Sequence, residues 1–343
     1  MIRFWFAKIL RAVFTMLGVT LVMFLLMHAI PGNPWDNYSN NPQILNNIDT
    51  NANFQKELNR RYGLNLPLWR QYLRFVIGDI EQDGSFYCGA ICGDLGPSIL
   101  QRGRSVQSII FEPPHGKSTW DSRFGYSIRL VLFASLIAVG LGIPLGIWST
   151  ARPGAGIGKL ITVMLAALVS IPNFVIGLLA MIVLASGLGI IKVLPDWNQP
   201  SDWIIPAVVL AIVPMANIAR VTRATLINIM HEDYVRTARG KGLTENRIMR
   251  VHILNNALAP IITFLGQTFM EMFTGLLIVE NLYGFPGIGR GYWEAVLQLD
   301  YPMIIGLTSI YAVGILMVNI LVEFISDMLD PRIYAGRQAG ISQ

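Results

Sequence analysis

Apolar and polar positions come in blocks along most of this chain. Six predominantly apolar blocks, 9–30, 127–148, 160–191, 203–219, 257–279 and 303–322, are separated by polar stretches. A helix that crosses the hydrocarbon core of a bilayer needs roughly 20 such residues. Each block therefore predicts one membrane-spanning helix. The block 160–191 exceeds one straight crossing, yet two crossings with a turn need about 40 residues. Pro172 inside it predicts a kink, so the block reads as one long, bent span. The block 203–219 reads as a shorter one.

Composition agrees with the pattern. The chain has 343 residues, 53% hydrophobic and only 14% charged, where a soluble domain carries about a quarter charged residues. A mean hydropathy of +0.50 excludes a soluble enzyme of this size, and a disordered chain as well. The net charge of +5 does not point to a nucleic-acid partner, because the positive residues sit in short loops between apolar blocks. That distribution encodes membrane orientation. With the N-terminus inside, the inner segments hold Arg3, Lys8 and Arg11, then Arg152 and Lys159, then seven positive residues in 220–250 against Glu232, Asp233 and Glu245. The short outer loops are net negative, with Asp196 and Asp202 against Lys192, and Glu280, Glu294 and Asp300 against Arg290. Splitting 160–191 into two spans would place the most positive loop outside, against this bias. The expected fold is an all-α polytopic membrane protein with six transmembrane helices, N and C termini cytoplasmic, and a large extracytoplasmic insert between spans one and two.

The expected organisation is a cytoplasmic N-terminus and first span in 1–30, the insert in 31–126, a transmembrane core in 127–322 with a cytoplasmic loop 220–256, and a cytoplasmic tail in 323–343. The first block is long for a signal sequence, and Ala29-Ile30-Pro31-Gly32 is a poor cleavage site, so it reads as a retained span. The insert balances nine positive against nine negative residues. Residues 33–53 have a loop composition, and 54–77 show helical periodicity divided by Pro67. Cys88 and Cys92, the only cysteines, lie in the insert, on the side of the membrane where disulfides persist. A disulfide closing this small loop is expected, with two free thiols as the alternative. A metal centre needs more ligands, and His115 is the only other candidate nearby, so none is expected.

The loop between spans four and five is the most informative stretch. Asp233 is placed to cap a short helix that includes Tyr234, Val235, Arg236, Thr237, Ala238 and Arg239. After Lys241, Gly242 supplies a left-handed stop and Leu243 follows. Thr244 is placed to cap a second helix from Glu245 toward the membrane. The outcome is a helix–turn–helix knob on the inner surface, suited to a groove on a soluble partner. Small Ala238 would let that partner approach. The positive charges alone carry no such meaning, since topology explains them.

This loop resembles the signature of integral-membrane subunits of ABC importers, a Glu-Ala-Ala–three–Gly pattern. More narrowly, it is similar to the dipeptide/oligopeptide/nickel permease family. With Gly242 in register, the first positions read Arg236-Thr237-Ala238, the usual form of the peptide branch. The proline of the family's Ile-x-Leu-Pro is absent at 252–255 and comes later, as Pro260. Further resemblances run in order along the chain. They are 26–34, with Asn33 for the usual Asp; Arg61-Tyr-Gly-Leu with Gln71-Tyr-Leu; 93–98; 279–289; Asp300-Tyr301-Pro302; and 329–333. Residues 79–92 and 111–126 depart from the family pattern.

The resemblance implies half of a two-permease pore in a prokaryotic plasma (inner) membrane. It implies a second homologous permease, two cytoplasmic ATPases and an extracytoplasmic solute-binding protein as partners, and peptides as cargo. ATP and Mg belong to the ATPases: this chain has no Gly-x-x-x-x-Gly-Lys-Ser/Thr loop. No cofactor and no catalytic residue are expected in it. Tyr234 to Arg239 with Lys241, Gly242 and Leu243 become the ATPase-coupling element. Glu271, near the middle of span five, is a functional candidate by position, lining the pore to meet a substrate amine or cation, pairing with a group such as Arg129, or snorkelling outward. Arg129 snorkels outward, and His28 reads as an interface residue. Pro286 and Gly287 in the glycine-rich stretch 284–291 are gate candidates, against a plain loop. A self-contained secondary transporter is the rival reading. It would show internal repeats and broken helices with mid-membrane charges; no repeat is found.

Overall fold

The computed structural model describes residues 2–29, 63, 66–80, 86–101, 104–151, 156–189, 192 and 195–329. The loop stretch 33–53, the periodicity of 54–62, Arg61, Arg152 and the tail beyond 329 lie outside them. The chain divides into two compact units, Met1–Tyr126 with Pro286–Gly314, and Ser127–Phe285 with Ile315–Gln343. Among the described residues, five helices are long and apolar enough to cross a membrane, or six if one sharply bent pair counts as a span.

In the first unit, helix α1 (Ile2–Ala29) carries the first apolar block. Helix α2 (Leu68–Val76) starts directly after Pro67 and buries Gln71, Phe75 and Val76. Their spacing puts them along one face. The Tyr72 hydroxyl donates to the Leu17 carbonyl at 2.8 Å and lies 2.9 Å from the Thr20 hydroxyl. Phe24, Phe75, Val76 and Ile305 form a small apolar core beside them. Strands β1 (Gly78–Ile80) and β2 (Phe86–Cys88) pair antiparallel, Gly78 opposite Cys88 and Ile80 opposite Phe86. A disulfide joins Cys88 to Cys92. Helix α3 (Val106–Phe111) is capped by Ser105, whose side chain accepts from the Ser108 amide.

Helix α4 (Arg123–Ala151) begins in the first unit, and its residues from Ser127 onward lie in the second. Two apolar helices follow, α5 (Gly156–Ser170) and α6 (Asn173–Ala180), with a π-helical extension at Met181–Gly187. The block expected to form one bent span, 160–191, is built of two helices separated by a sharp break. The two halves meet at 98°, a turn rather than a kink. A proline disfavours helical backbone in the residue before it, so α5 ends at Ser170 and α6 starts beyond Pro172.

Helix α7 (Pro200–Met230) is the centre of the second unit. The block read as short is in fact a 31-residue helix, because it runs on through Arg220 and Arg223. It packs on α5, α6 and helix α9 (Asn255–Tyr283). Gly146 of α4 makes close approach to α7 possible: a Cβ there would lie 2.6 Å from Thr222 Cβ and 2.8 Å from the Ala219 carbonyl oxygen. The Arg223 guanidinium donates to the Ser149 carbonyl at the end of α4. Helices α10 (Ile288–Leu297) and α11 (Tyr301–Leu329) complete the described residues.

Candidate functional site

The knob is built from the end of α7 onward. After His231 the backbone becomes extended at Glu232, with φ −67° and ψ 146°, and helix α8 (Asp233–Gly240) begins. Glu232, not Asp233, holds the N-cap position, and neither side chain caps the helix. Asp233 stands in the first turn, where an acidic residue still favours the positive end of the helix dipole. Its carboxylate lies 3.6 Å from Arg236, both strongly exposed, and such a pair contributes little in water.

Val235 and Ala238, one helical turn apart, point inward. They join Leu226, Ile248, Ile253, Ala257 and Ile261 in one apolar cluster, with partly buried Leu243 and Ile143 against it. Ala238 is only 6% exposed. It cannot be the approach surface for a partner; its small size serves the packing of α8 onto the helices below.

The turn after α8 depends on Gly242, whose φ of +78° is left-handed and costs an L-residue about 1–2 kcal/mol. Thr244 then takes the N-cap position of the short helix Glu245–Arg247, without a side-chain bond. A fork closes the turn. Arg239 Nε donates to Glu245 Oε1 at 2.8 Å, and a terminal guanidinium nitrogen to Oε2 at 3.3 Å. That carboxylate holds the Arg239 guanidinium above its ordinary range. Ile248–Leu254 continues as a π-helical stretch into α9.

Of the nine coupling candidates, Tyr234, Arg236, Thr237, Arg239, Lys241 and Gly242 are exposed, Leu243 is half-buried, and Val235 and Ala238 are buried. The Tyr234 phenol titrates above the usual tyrosine range, through desolvation first and the charge of Glu232 second; a hydrogen bond with Asn256 pulls the other way. It is neutral at physiological pH. The knob thus offers an exposed face that carries Arg236, Arg239, Lys241 and one neutral aromatic ring.

The other candidates are on other elements. Glu271 is exposed on α9. Pro286 and Gly287 form the short link into α10. Arg129 stacks its guanidinium 4.7 Å from the Trp203 ring centre, a more specific role than snorkelling. His28 Nδ1 is 2.8 Å from the Phe24 carbonyl oxygen on α1.

Three polar centres escaped the sequence reading because their charges were counted as loop charges. Glu280 is inside α9, fully buried, and accepts from the Ser127 hydroxyl at 2.6 Å. Asp300 is 1% exposed. It accepts from Ser98 Oγ at 2.5 Å, from the Ile99 and Leu100 amides at 3.2 and 3.1 Å, and from the Met303 amide at 3.2 Å. It therefore clamps the 98–100 loop while capping α11. Glu294 receives both Arg123, at 3.2 Å, and Arg290, at 2.9 Å. The Asp-Tyr-Pro before an apolar block was a readable sign of a capped helix start.

Among the described residues, five to six helices or helix pairs long and apolar enough to cross a membrane define a multi-pass membrane protein. Residues 142–334 match the family of binding-protein-dependent transport system inner membrane components. The chain belongs to this family. It is 31% identical over 335 residues to the oligopeptide transport system permease protein AppB of Bacillus subtilis, covering 95% of this chain and 97% of that one. It is 34% identical to the dipeptide transport system permease protein DppB of the same organism, covering 96% of each. Among solved structures, an amino acid ABC transporter shares its fold at a TM-score of 0.50, 23% identity, 61% of this chain and 93% of that one. The MetNI methionine ABC transporter in an inward-facing conformation does so at 0.50 and 16%, covering 60% and 93%.

Proposed function

We propose that this chain is one half of the translocation pore of an ATP-driven importer of di- or oligopeptides. The identity to dipeptide and oligopeptide permeases over almost the whole chain supports the cargo. A second homologous permease supplies the other half, two cytoplasmic ATPases bind and hydrolyse ATP with Mg, and an extracytoplasmic binding protein delivers the peptide. The chain crosses a prokaryotic inner membrane six times, the α5–α6 pair making one broken span. Both termini are cytoplasmic, and 31–126 form the outer insert. Pro286 and Gly287 act at the gate.

The observation that carries the coupling role is the division of the knob into two faces. Val235 and Ala238 root it in the core shared by α7 and α9, while Tyr234, Arg236, Thr237, Arg239 and Lys241 stand in solvent. A partner that grips the exposed face moves the membrane helices as a rigid body, which is one established form of switching. The test is co-purification from detergent-solubilised membrane with and without Arg236→Glu/Gly242→Pro. Wild type brings down a second permease and proteins that hydrolyse ATP; the variant keeps the permease and loses the ATPases. A wild-type chain that purifies alone and moves solute in liposomes without ATP sinks the proposal.

A further inference from the structure

Helix α9 differs from the neighbouring membrane helices in the edge it leaves uncovered. Thr263, Gln267, Glu271, Thr274, Ile278 and Asn281 are all exposed. They recur at i, i+4, i+8, i+11, i+15 and i+18, one continuous line along a helix. Five of the six are polar. At 1.5 Å per residue the line is about 27 Å long, close to the full hydrocarbon thickness of a bilayer. The opposite side of α9 is buried and mostly apolar, with Ile261, Met272, Leu276 and Val279.

The uncovered edges of the other helices are of another kind. On α4 the same spacing, i and i+4, gives Leu132 and Leu136, 57% and 73% exposed. On α11 it gives Met317, Leu321 and Met328, also more than half exposed. Those edges suit lipid. A line of hydroxyl, amide and carboxylate groups at the same depth does not, because ionisable and polar groups in a membrane turn to water or to a partner. Among the described residues, Glu271 has neither an ion pair nor a hydrogen bond. Arg129, the one basic group considered for it, stacks on Trp203 instead.

We infer that this edge of α9 lines the water-filled path of the pore, and that the Glu271 carboxylate receives a positively charged group of the cargo there, such as a peptide ammonium. The inference rests on the proposed transport role and deepens it: the permease itself favours cationic cargo. The neutral hydroxyls and amides on either side offer exchangeable hydrogen bonds, so cargo can pass. The single negative charge at mid-membrane offsets the loss of water around a cation.

The experiment has two arms in the complete transporter. The first places single cysteines at Gln267, Thr274 and, as a lipid-facing control, Leu136. The native cysteines are bonded to each other, so they add no background. A membrane-impermeant trimethylammonium methanethiosulfonate reagent reacts at 267 and 274 faster than at 136, and an excess of a cationic tripeptide slows it. The second arm compares uptake of lysine-, alanine- and glutamate-containing tripeptides. Glu271→Gln lowers the ratio of cationic to neutral uptake about tenfold, the scale of one charge-assisted hydrogen bond, and Glu271→Asp restores most of it. Reactivity at 267 and 274 no greater than at 136 overturns the path, and points to a sister subunit covering the edge. Fast reaction with an unchanged uptake ratio overturns the role of Glu271. If the wild-type transporter moves none of the three peptides, the peptide cargo is wrong, while the thiol arm still decides the path.

Discussion

Single buried carboxylates do more in this protein than its many exposed charges. Asp300 accepts four hydrogen bonds in a nearly water-free site. Removing it strands a hydroxyl and three backbone amides, and buried hydrogen bonds to a charged group are each worth roughly 1.5–3 kcal/mol. Asp300→Ala is expected to destabilise the protein by about 3 kcal/mol, seen as a lower thermal midpoint in detergent. Asp300→Asn, which keeps one carbonyl oxygen, is expected to cost less. By contrast Arg236→Ala, on an exposed pair, is expected to leave the midpoint in place within about 0.5 kcal/mol while weakening ATPase capture. Residue-scale chemistry was the least legible part of the sequence. Glu280 and Asp300 look like loop charges in one dimension, and only the folded chain shows that one is inside a helix and the other caps one. The left-handed Gly242 was legible, because few residues other than glycine end a helix that way.

At the scale of elements, the apolar blocks located the membrane helices well, since burial in lipid requires long uninterrupted runs. The local rule at Pro172 was read correctly in kind and too weakly in degree: a kink was expected where the chain turns through 98°. The knob shows the same division. Its helix–turn–helix form follows from Thr244 and Gly242, but which face is exposed depends on the helices it sits on. That dependence gives a test. Ala238→Leu overfills the cluster around Leu226 and Ile253 and is expected to cost about 1–3 kcal/mol. It is also expected to reduce peptide-stimulated ATP hydrolysis, although no exposed residue changes. Substituting Thr237→Val on the outer face leaves that packing intact, so the thermal midpoint separates the two effects.

For the molecule as a whole, the distribution of positive residues in short loops makes an orientation that experiment can read directly. A single cysteine at Ser118, in the proposed outer insert, is expected to react with an impermeant thiol reagent in intact cells. One at Lys241, on the knob, is expected to react only in inverted vesicles. The opposite pattern would reverse the orientation and with it the coupling role. The rival of a self-contained secondary transporter also speaks at this scale, because it would leave the knob without a partner and ATP without effect on uptake.

The clamp at Asp300 has a consequence for biosynthesis. Its three bonds to residues 98–100 join positions 200 to 202 residues apart. At roughly 5–20 residues per second, a ribosome needs about ten to forty seconds to cover that separation. Throughout that interval the 98–100 segment has been made but its carboxylate has not, and the Ile99 and Leu100 amides lack their acceptor. The segment is therefore expected to be a target for proteases in chains stalled before residue 300 and to become resistant once Asp300 is in place.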